Sequence, residues 1–366
     1  MSSSSIINVG IIGVGLVGKC LFRNLSSARH SKSFAVVGIA NSKTALLQEA
    51  SKPISLAEGQ EPSDLLASAP ALDPNAFISH LAQLQGPSVL VDCTSSPDLA
   101  KLYPVALRKG VDVVTPNKKG FSSDLALWKE VQQAALDSNT LVYHESTVGA
   151  GLPVLATLRD LVRTGDEIIK VEGVFSGTLS YLFNTFCSPS SSSPFSQALL
   201  KAKDLGYTEP DPRDDLDGMD VARKVVIVAR ALGLSLSLED LTVENVVPDV
   251  KELRQAASPE AFLSALPNHD DHFSSLREAA KANGKVLRYV GSIDPRSSSA
   301  TVSLNSYPTS HPFGALEGSD NMVAFTTRRF PNPLVIQGSG AGDEVTVFGI
   351  LADLYRVHDQ RCTPSP

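Results

Sequence analysis

Residues 7–21 read INVGIIGVGLVGKCL. An apolar run leads into Gly13, Gly15 and Gly18, spaced G-x-G-x-x-G, and an amphipathic run follows. In a strand–turn–helix unit each glycine has its own duty. Gly13 permits the tight turn, Gly15 lets the backbone approach a pyrophosphate, and Gly18 lets the helix pack closely on the strand. Val14, Leu16 and Val17 complete the turn. The helix that starts there directs its first N–H groups and a partial positive charge toward the bound anion. The stretch therefore predicts a dinucleotide-binding unit.

Working outward, short apolar runs alternate with helical ones. Strand-like stretches are FAVVGIA (34–40), PSVLVDC (87–93), VDVVTP (111–116) and TLVYHE (140–145), with helical runs such as 122–136 between them. Near-continuous apolar strands separated by helices imply a parallel sheet covered on both faces. Residues 51–75 are irregular, and SPSSSSP (188–194) is a low-complexity loop. Later stretches, NGKVLRYVGSID (283–294), SATVSLNSY (299–307), NMVAFTTRRF (321–330) and PLVIQG (333–338), alternate more loosely, as in a mixed sheet. The chain then ends on a glycine turn and an amphipathic helix, with Val347, Ile350, Leu351 and Leu354 on one face. The expected fold is α/β: a Rossmann-type doubly wound parallel sheet (1–152) plus an α/β substrate and dimerisation region on a mixed sheet (153–337). The last segment (338–366) returns to the dinucleotide-binding domain.

Composition narrows the partners. A net charge of −7 gives no basic field for nucleic acid or anionic lipid. Cys20, Cys93, Cys187 and Cys362 are too scattered for a zinc site or a disulfide framework. MSSSS has no basic n-region, and no apolar run is long enough to span a bilayer. A reducing, cytoplasmic setting is the expectation.

At the carboxyl ends of the strands the chemistry becomes polar. Asn41 stands where an NAD site commonly places an acid, and Lys43 follows it, so NADP fits at least as well as NAD. VDCTSS offers Thr94 and Ser95; TPNKK offers Asn117, Lys118 and Lys119. Ligands of doubly wound sheets sit at these ends.

Residues 207–224, YTEPDPRDDLDGMDVARK, hold the acids Glu209, Asp211, Asp214, Asp215, Asp217 and Asp220 before Arg223 and Lys224. Asp217 is the expected N-cap of the helix that follows. Asp220 and Lys224 share a face, and that face continues into Ile227, Val228 and Ala231. Arg223 and Arg230 make the sole polar stripe. So apolar a helix is mostly buried, and a buried lysine–carboxylate pair points to a site rather than to surface decoration. Beside a nicotinamide, an ammonium group can protonate the oxygen of a carbonyl that receives hydride. Spare carboxylates suit a substrate carrying an ammonium.

These motifs, with HESTVGAGLP (144–153) and GVFSGTLSYLFN (173–184), resemble homoserine dehydrogenase, most closely the short fungal enzymes. The resemblance implies interconversion of L-homoserine and L-aspartate 4-semialdehyde with NADP or NAD, in threonine and methionine biosynthesis. It further implies that Lys224 is the proton donor and Lys118 a second essential lysine. Glu209, Asp215 and Asp220 would bind substrate, Gly177 and Thr178 would line its pocket, and Gly340 would close over the cofactor. Glu145 with the carbonyls of Val148, Ala150 and Leu152 would hold a monovalent cation, usually sodium. A homodimer is implied as well. Ser146 and Asp217 depart from the commoner fungal pattern of alanine and asparagine.

The mechanism so expected is hydride transfer with lysine acid–base catalysis, homoserine oxidation running best at alkaline pH. The rival readings are another NAD(P)-dependent reductase of an amino acid derivative and an inactive nucleotide-sensing protein of the same fold. A phosphorylating semialdehyde dehydrogenase would need Cys93 as its nucleophile.

Overall fold

The structure is a computed structural model and describes residues 6–50, 52–188 and 192–362. The N-terminal MSSSS stretch and residues 189–191 of the serine-rich loop lie outside the described residues. The chain divides into two compact units, one formed up to Gly151 and again from Ala341, the other by Leu152–Gly340.

The first unit is built on strands β1 (Ile7–Ile12), β2 (Phe34–Ala40), β3 (Ala45–Leu47), β4 (Ser88–Asp92), β5 (Val111–Val114) and β6 (Val142–Tyr143). Their order across the sheet is β3-β2-β1-β4-β5-β6. All neighbours run parallel except β3, which turns back along β2. Every residue of β1, β2, β4 and β5 is buried. That burial explains why these strands read as unbroken apolar runs rather than alternating ones.

The edge strand β3 is absent from the sequence reading. A local device creates it: Asn41 Oδ1 accepts from the amides of Lys43 at 2.7 Å and Thr44 at 2.8 Å, reversing the chain. Helix Leu16–Leu25 buries Leu21, Phe22 and Leu25 in the same core as Val347, Ile350, Leu354 and Val357 of helix Asp343–Cys362. Leu351, on the predicted face, is only partly buried. Arg361, near the end of that helix, locks onto the buried Asp112 of β5 through Nε at 2.9 Å and Nη2 at 2.5 Å.

The second unit carries β7 (Ile168–Val174), β8 (Thr242–Val243), β9 (Lys285–Asp294), β10 (Ser299–Pro308), β11 (Asp320–Thr327) and β12 (Leu334–Ser339). The order is β12-β11-β7-β9-β10-β8, antiparallel throughout except that β8 lies parallel to β10. The sheet is therefore mixed. Helix Met219–Ala231 packs hard against it. A Cβ on Gly291 of β9 would stand 2.3 Å from Val225 Cγ2, so that glycine sets how closely helix and sheet approach. Arg288 of β9 is buried and donates to the carbonyls of Phe313, Gly314 and Leu316, pinning the link between β10 and β11.

Candidate active site

In the second unit the site is organised by helix Met219–Ala231. The helix starts from Gly218 in the left-handed region, φ 75°, where a Cβ would meet Tyr289 Oη at 1.9 Å. Gly218, not Asp217, occupies the N-cap. Asp217 lies one residue earlier and its Oδ1 accepts from the Met219 amide at 2.8 Å. The polar stripe is also narrower than expected. Arg230 is 1% exposed and donates from Nε to the carbonyl of Leu236 at 2.9 Å, so of the two arginines only Arg223 reaches the surface, and it is partly buried.

Lys224 is buried on this helix. Its Nζ donates to the carbonyl oxygen of Phe175 at 2.6 Å and lies 2.8 Å from Asp220 Oδ2. Asp220 is half exposed, its side chain at 47% against 10% for Lys224. The pair thus has a dry cation and a wet anion. Solvent screens Asp220 more than Lys224, and the Phe175 carbonyl is the acceptor that remains out of water.

Phe175 leads directly into the next element. The Ser176 hydroxyl accepts from the Leu179 amide and caps helix Gly177–Phe186, which sets Gly177 and Thr178 at that helix's first turn. Thr178 Oγ1 donates to the carbonyl of Tyr207 at 2.6 Å, tying the helix to the acidic loop. Asp215 Oδ2 accepts from the Glu209 amide at 2.8 Å. Burial pushes the Asp215 carboxyl up to about 6; the Glu209 amide and the Thr178 hydroxyl pull it back, and the charges of Glu209 and Asp220 push it further up. Gly177, Thr178, Glu209, Asp215, Asp220 and Lys224 therefore form one cluster. Asp211 is outside it, paired with Arg213 at 2.6 Å, and Asp214 faces solvent. The sequence reading missed Phe175, whose contribution is a backbone carbonyl that carries no residue-type signal.

In the first unit the three glycines meet the geometry expected of them. Gly13 has φ 101°, and a Cβ there would touch Thr94 Cγ2 at 2.7 Å. Gly18 lies so close beneath the turn that its Cβ would stand 1.9 Å from the Gly13 carbonyl oxygen. Gly15 has nothing within 4 Å of a Cβ position, so the space above it is open for a pyrophosphate. Val14 is buried, Val17 partly so, and Leu16 is exposed. Beside them a cavity of about 450 Å³ is lined by Asn41, Ser42, Thr94, Ser95 and Ser96, a size suited to a nucleoside. Lys43 is exposed next to Ser42. The residues fit a dinucleotide. Ser42 and Ser96 are lining residues that the sequence reading did not single out.

Lys118, partly buried, caps the short helix Lys119–Ser122 after β5. Glu145 is buried, its amide donates to Asp353 Oδ2 at 2.8 Å, and its Oε2 lies 3.3 Å from Arg356 Nη1. Beyond it Gly149 and Ala150 both have positive φ, 73° and 54°, which swings the local carbonyls around a tight turn with Val148 just before it. A buried carboxylate beside such a turn is an oxygen-only donor set, the kind a hard cation takes. Ser146 donates to the carbonyl of Thr346 at 2.9 Å, a bond alanine would not make. In the second unit, Leu152 is the first residue and Gly340 the last, with Gly340 packed on the side chain of Asn321. Among the described residues no cluster of His, Cys, Asp and Glu could hold a metal, and no helix is long and apolar enough to cross a membrane. Burial pushes the Cys93 thiol far up, away from a nucleophile's range.

A family model described as homoserine dehydrogenase matches residues 153–355, and one described as the homoserine dehydrogenase NAD binding domain matches residues 13–145. The homoserine dehydrogenase of Emericella nidulans is 48% identical over 365 residues, covering 97% of this chain and 99% of the relative. The chain belongs to the homoserine dehydrogenase family. A crystal structure of a Candida auris protein of unknown function is 42% identical, with a TM-score of 0.89 over 98% of this chain and 99% of that one. A hyperthermophilic archaeal homoserine dehydrogenase, solved in complex with NADPH, shares the fold at 20% identity, with a TM-score of 0.70 over 96% of this chain and 98% of that one. The activity is that of a homoserine dehydrogenase: NAD(P)-dependent oxidoreduction between L-homoserine and L-aspartate 4-semialdehyde, a step of amino-acid biosynthesis.

Proposed function

We propose that Lys224 is the acid–base group of this reaction. The observation that carries the reading is the buried Lys224 ammonium, held by the Phe175 carbonyl and Asp220 inside a cluster of carboxylates. When bound, NAD(P) supplies or accepts the hydride. Lys224 gives a proton to the aldehyde oxygen in reduction and takes it back in oxidation. Glu209, Asp215 and Asp220 hold the substrate ammonium, and Gly177 and Thr178 form the wall beside it. Lys118 orients and polarises the reacting oxygen.

The glycine turn Gly13–Gly18 takes the pyrophosphate, Thr94 and Ser95 flank the cofactor, and Gly340 is assigned to cofactor binding. NADP is the preferred cofactor. Asn41 Oδ1 is committed to backbone amides, Asn41 rather than an acid follows β2, and Lys43 is exposed beside the cavity, while Asp98, which also lines it, pairs with Lys101 at 2.8 Å. The 145–152 turn binds a monovalent cation, sodium, through Glu145 and the carbonyls of Val148, Ala150 and Leu152, in a structural role. The sheet β7–β12 joins two copies into a homodimer. In support, β12 alternates half-buried and exposed residues along its whole length, leaving one face of this edge strand open within the chain. The reaction belongs to the cytoplasm.

One assay tests the reading: homoserine oxidation followed with NADP and with NAD across pH. Turnover with a lower Michaelis constant for NADP supports it. Cofactor binding without turnover on homoserine or its semialdehyde contradicts it.

A further inference from the structure

The end of β4 carries an acid that the reaction does not use. Asp92 is 0% exposed at the last position of a strand otherwise made of Ser88, Val89, Leu90 and Val91. A buried charge of this kind is costly unless its hydrogen bonds are filled. Here they are filled from three directions. Oδ1 accepts from the Thr94 amide at 2.7 Å. Oδ2 accepts from Tyr103 Oη at 2.5 Å and from Asn117 Nδ2 at 2.8 Å.

Each donor belongs to a different part of the dinucleotide unit. Thr94 begins the loop after β4 and is the residue packed on Gly13, while its Oγ1 accepts from the Ser96 amide at 3.0 Å. Asn117 belongs to the loop after β5 and immediately precedes Lys118. Its remaining groups are committed as well: Nδ2 reaches the Ser96 carbonyl at 3.0 Å and Oδ1 accepts from the Lys119 amide at 3.0 Å. Thr115 closes the ring, donating to the Asp92 carbonyl at 2.7 Å and accepting from the Asn117 amide at 2.8 Å. The backbone on either side of Lys118 is thus fixed by side chains that converge on one residue, Asn117 on the Asp92 carboxylate and Thr115 on its carbonyl.

We propose that Asp92 is a positioning residue for Lys118: through Asn117 it fixes the lysine-bearing loop against the loop that flanks the cofactor. This rests on the reading of Lys118 given above. The two oxygens of Asp92 divide the work. Oδ1 serves the cofactor-side loop and Oδ2 serves Asn117 and Tyr103. Asp92→Asn keeps an oxygen for the Thr94 amide but sets an NH2 group against Asn117 Nδ2, donor against donor. It therefore removes the Asp92 arm that orients Asn117, and with it the Lys119 amide that Asn117 Oδ1 holds, while the Thr94 amide keeps its acceptor.

The test is a double-mutant cycle on the full chain, measuring kcat and KM for homoserine together with NADPH affinity by fluorescence titration. Asp92→Asn is expected to lower kcat about 10²-fold, the cost of misplacing a reacting group by about 1 Å, with NADPH affinity changed less than about threefold, under 0.7 kcal/mol. In a Lys118→Ala background the same substitution is expected to change kcat little, because the residue it positions is already gone. Losses that multiply, or an Asp92→Asn enzyme with normal kcat, would overturn the proposal. A Lys118→Ala enzyme with normal kcat would instead remove the reading of Lys118 itself, and with it any such role for Asp92. If Asp92→Asn does not fold, Asn117→Ala cuts the same arm from the other end and must show the same non-additivity.

Discussion

The ammonium of Lys224 and the carbonyl oxygen of Phe175 lie 2.6 Å apart, and this bond joins helix Met219–Ala231 to the residue before Ser176, the N-cap of helix Gly177–Phe186. A buried lysine anchored to a backbone carbonyl keeps a fixed direction however the exposed Asp220 moves. Asp220→Asn is therefore expected to leave the position of Lys224 intact and to act mainly through charge. Its effect should be a rise in the Michaelis constant for homoserine larger than any fall in kcat. Steady-state kinetics on the variant checks this; a kcat collapse with unchanged KM would mean that Asp220 directs the lysine.

With Asp215 assigned to the substrate ammonium, substrate affinity is expected to depend on pH. Burial pushes the Asp215 carboxyl up to about 6, so Asp215 is neutral below that pH and anionic above it. An anionic carboxylate attracts the substrate ammonium and a neutral one does not. KM for homoserine is expected to rise as pH falls through about 6, and Asp215→Asn should flatten that rise. A KM independent of pH from 5 to 8 would place Asp215 outside substrate recognition.

Two glycines of one motif should fail in different ways. A Cβ at Gly15 meets nothing within 4 Å, whereas a Cβ at Gly18 would sit 1.9 Å from the Gly13 carbonyl oxygen. Gly15→Ala is expected to fold with a near-normal melting temperature and to weaken NADPH binding at least about tenfold, since the methyl occupies the pyrophosphate's approach. Gly18→Ala is expected to lower the melting temperature as well. Thermal melts with and without NADPH separate the two.

The proposed preference for NADP gives Lys43 the contact with the 2′-phosphate. Lys43→Ala is expected to raise KM for NADP about tenfold, the loss of one charge-assisted phosphate contact, and to leave KM for NAD nearly unchanged. Equal changes with both cofactors would show that Lys43 does not distinguish them.

The return of the C-terminal helix to β5 depends on Arg361. Its guanidinium bonds both oxygens of Asp112, which is 1% exposed. Arg361→Ala leaves a buried carboxylate without that partner, a loss of about 2–3 kcal/mol once the partial exposure of Arg361 is allowed for. Urea denaturation reads this as a lower midpoint.

Why some of this was legible in the sequence and some was not follows from the physics of particular positions. The strands β1, β2, β4 and β5 announce themselves because burial on both faces forces apolar runs, and the glycine motif because each glycine has a steric duty. Lys224 and Asp220 could be paired from helical spacing alone. Arg230 could not be placed: an arginine at the end of an apolar helix reads as surface, and its burial depends on the Leu236 carbonyl folding back to meet it. Strand β3 was hidden because an Asx turn at Asn41, not a run of β-formers, creates it. Asp92 was not singled out in the sequence, because its three donors come from two loops and the start of a helix that only the sheet order brings together.

The central claim, that Lys224 moves the proton, is tested most directly by the kcat of Lys224→Ala for homoserine oxidation, with NADPH binding measured on the same preparation. The account predicts a loss of about 10²–10⁴-fold in kcat with NADPH affinity preserved. Near-normal turnover in that variant would contradict it.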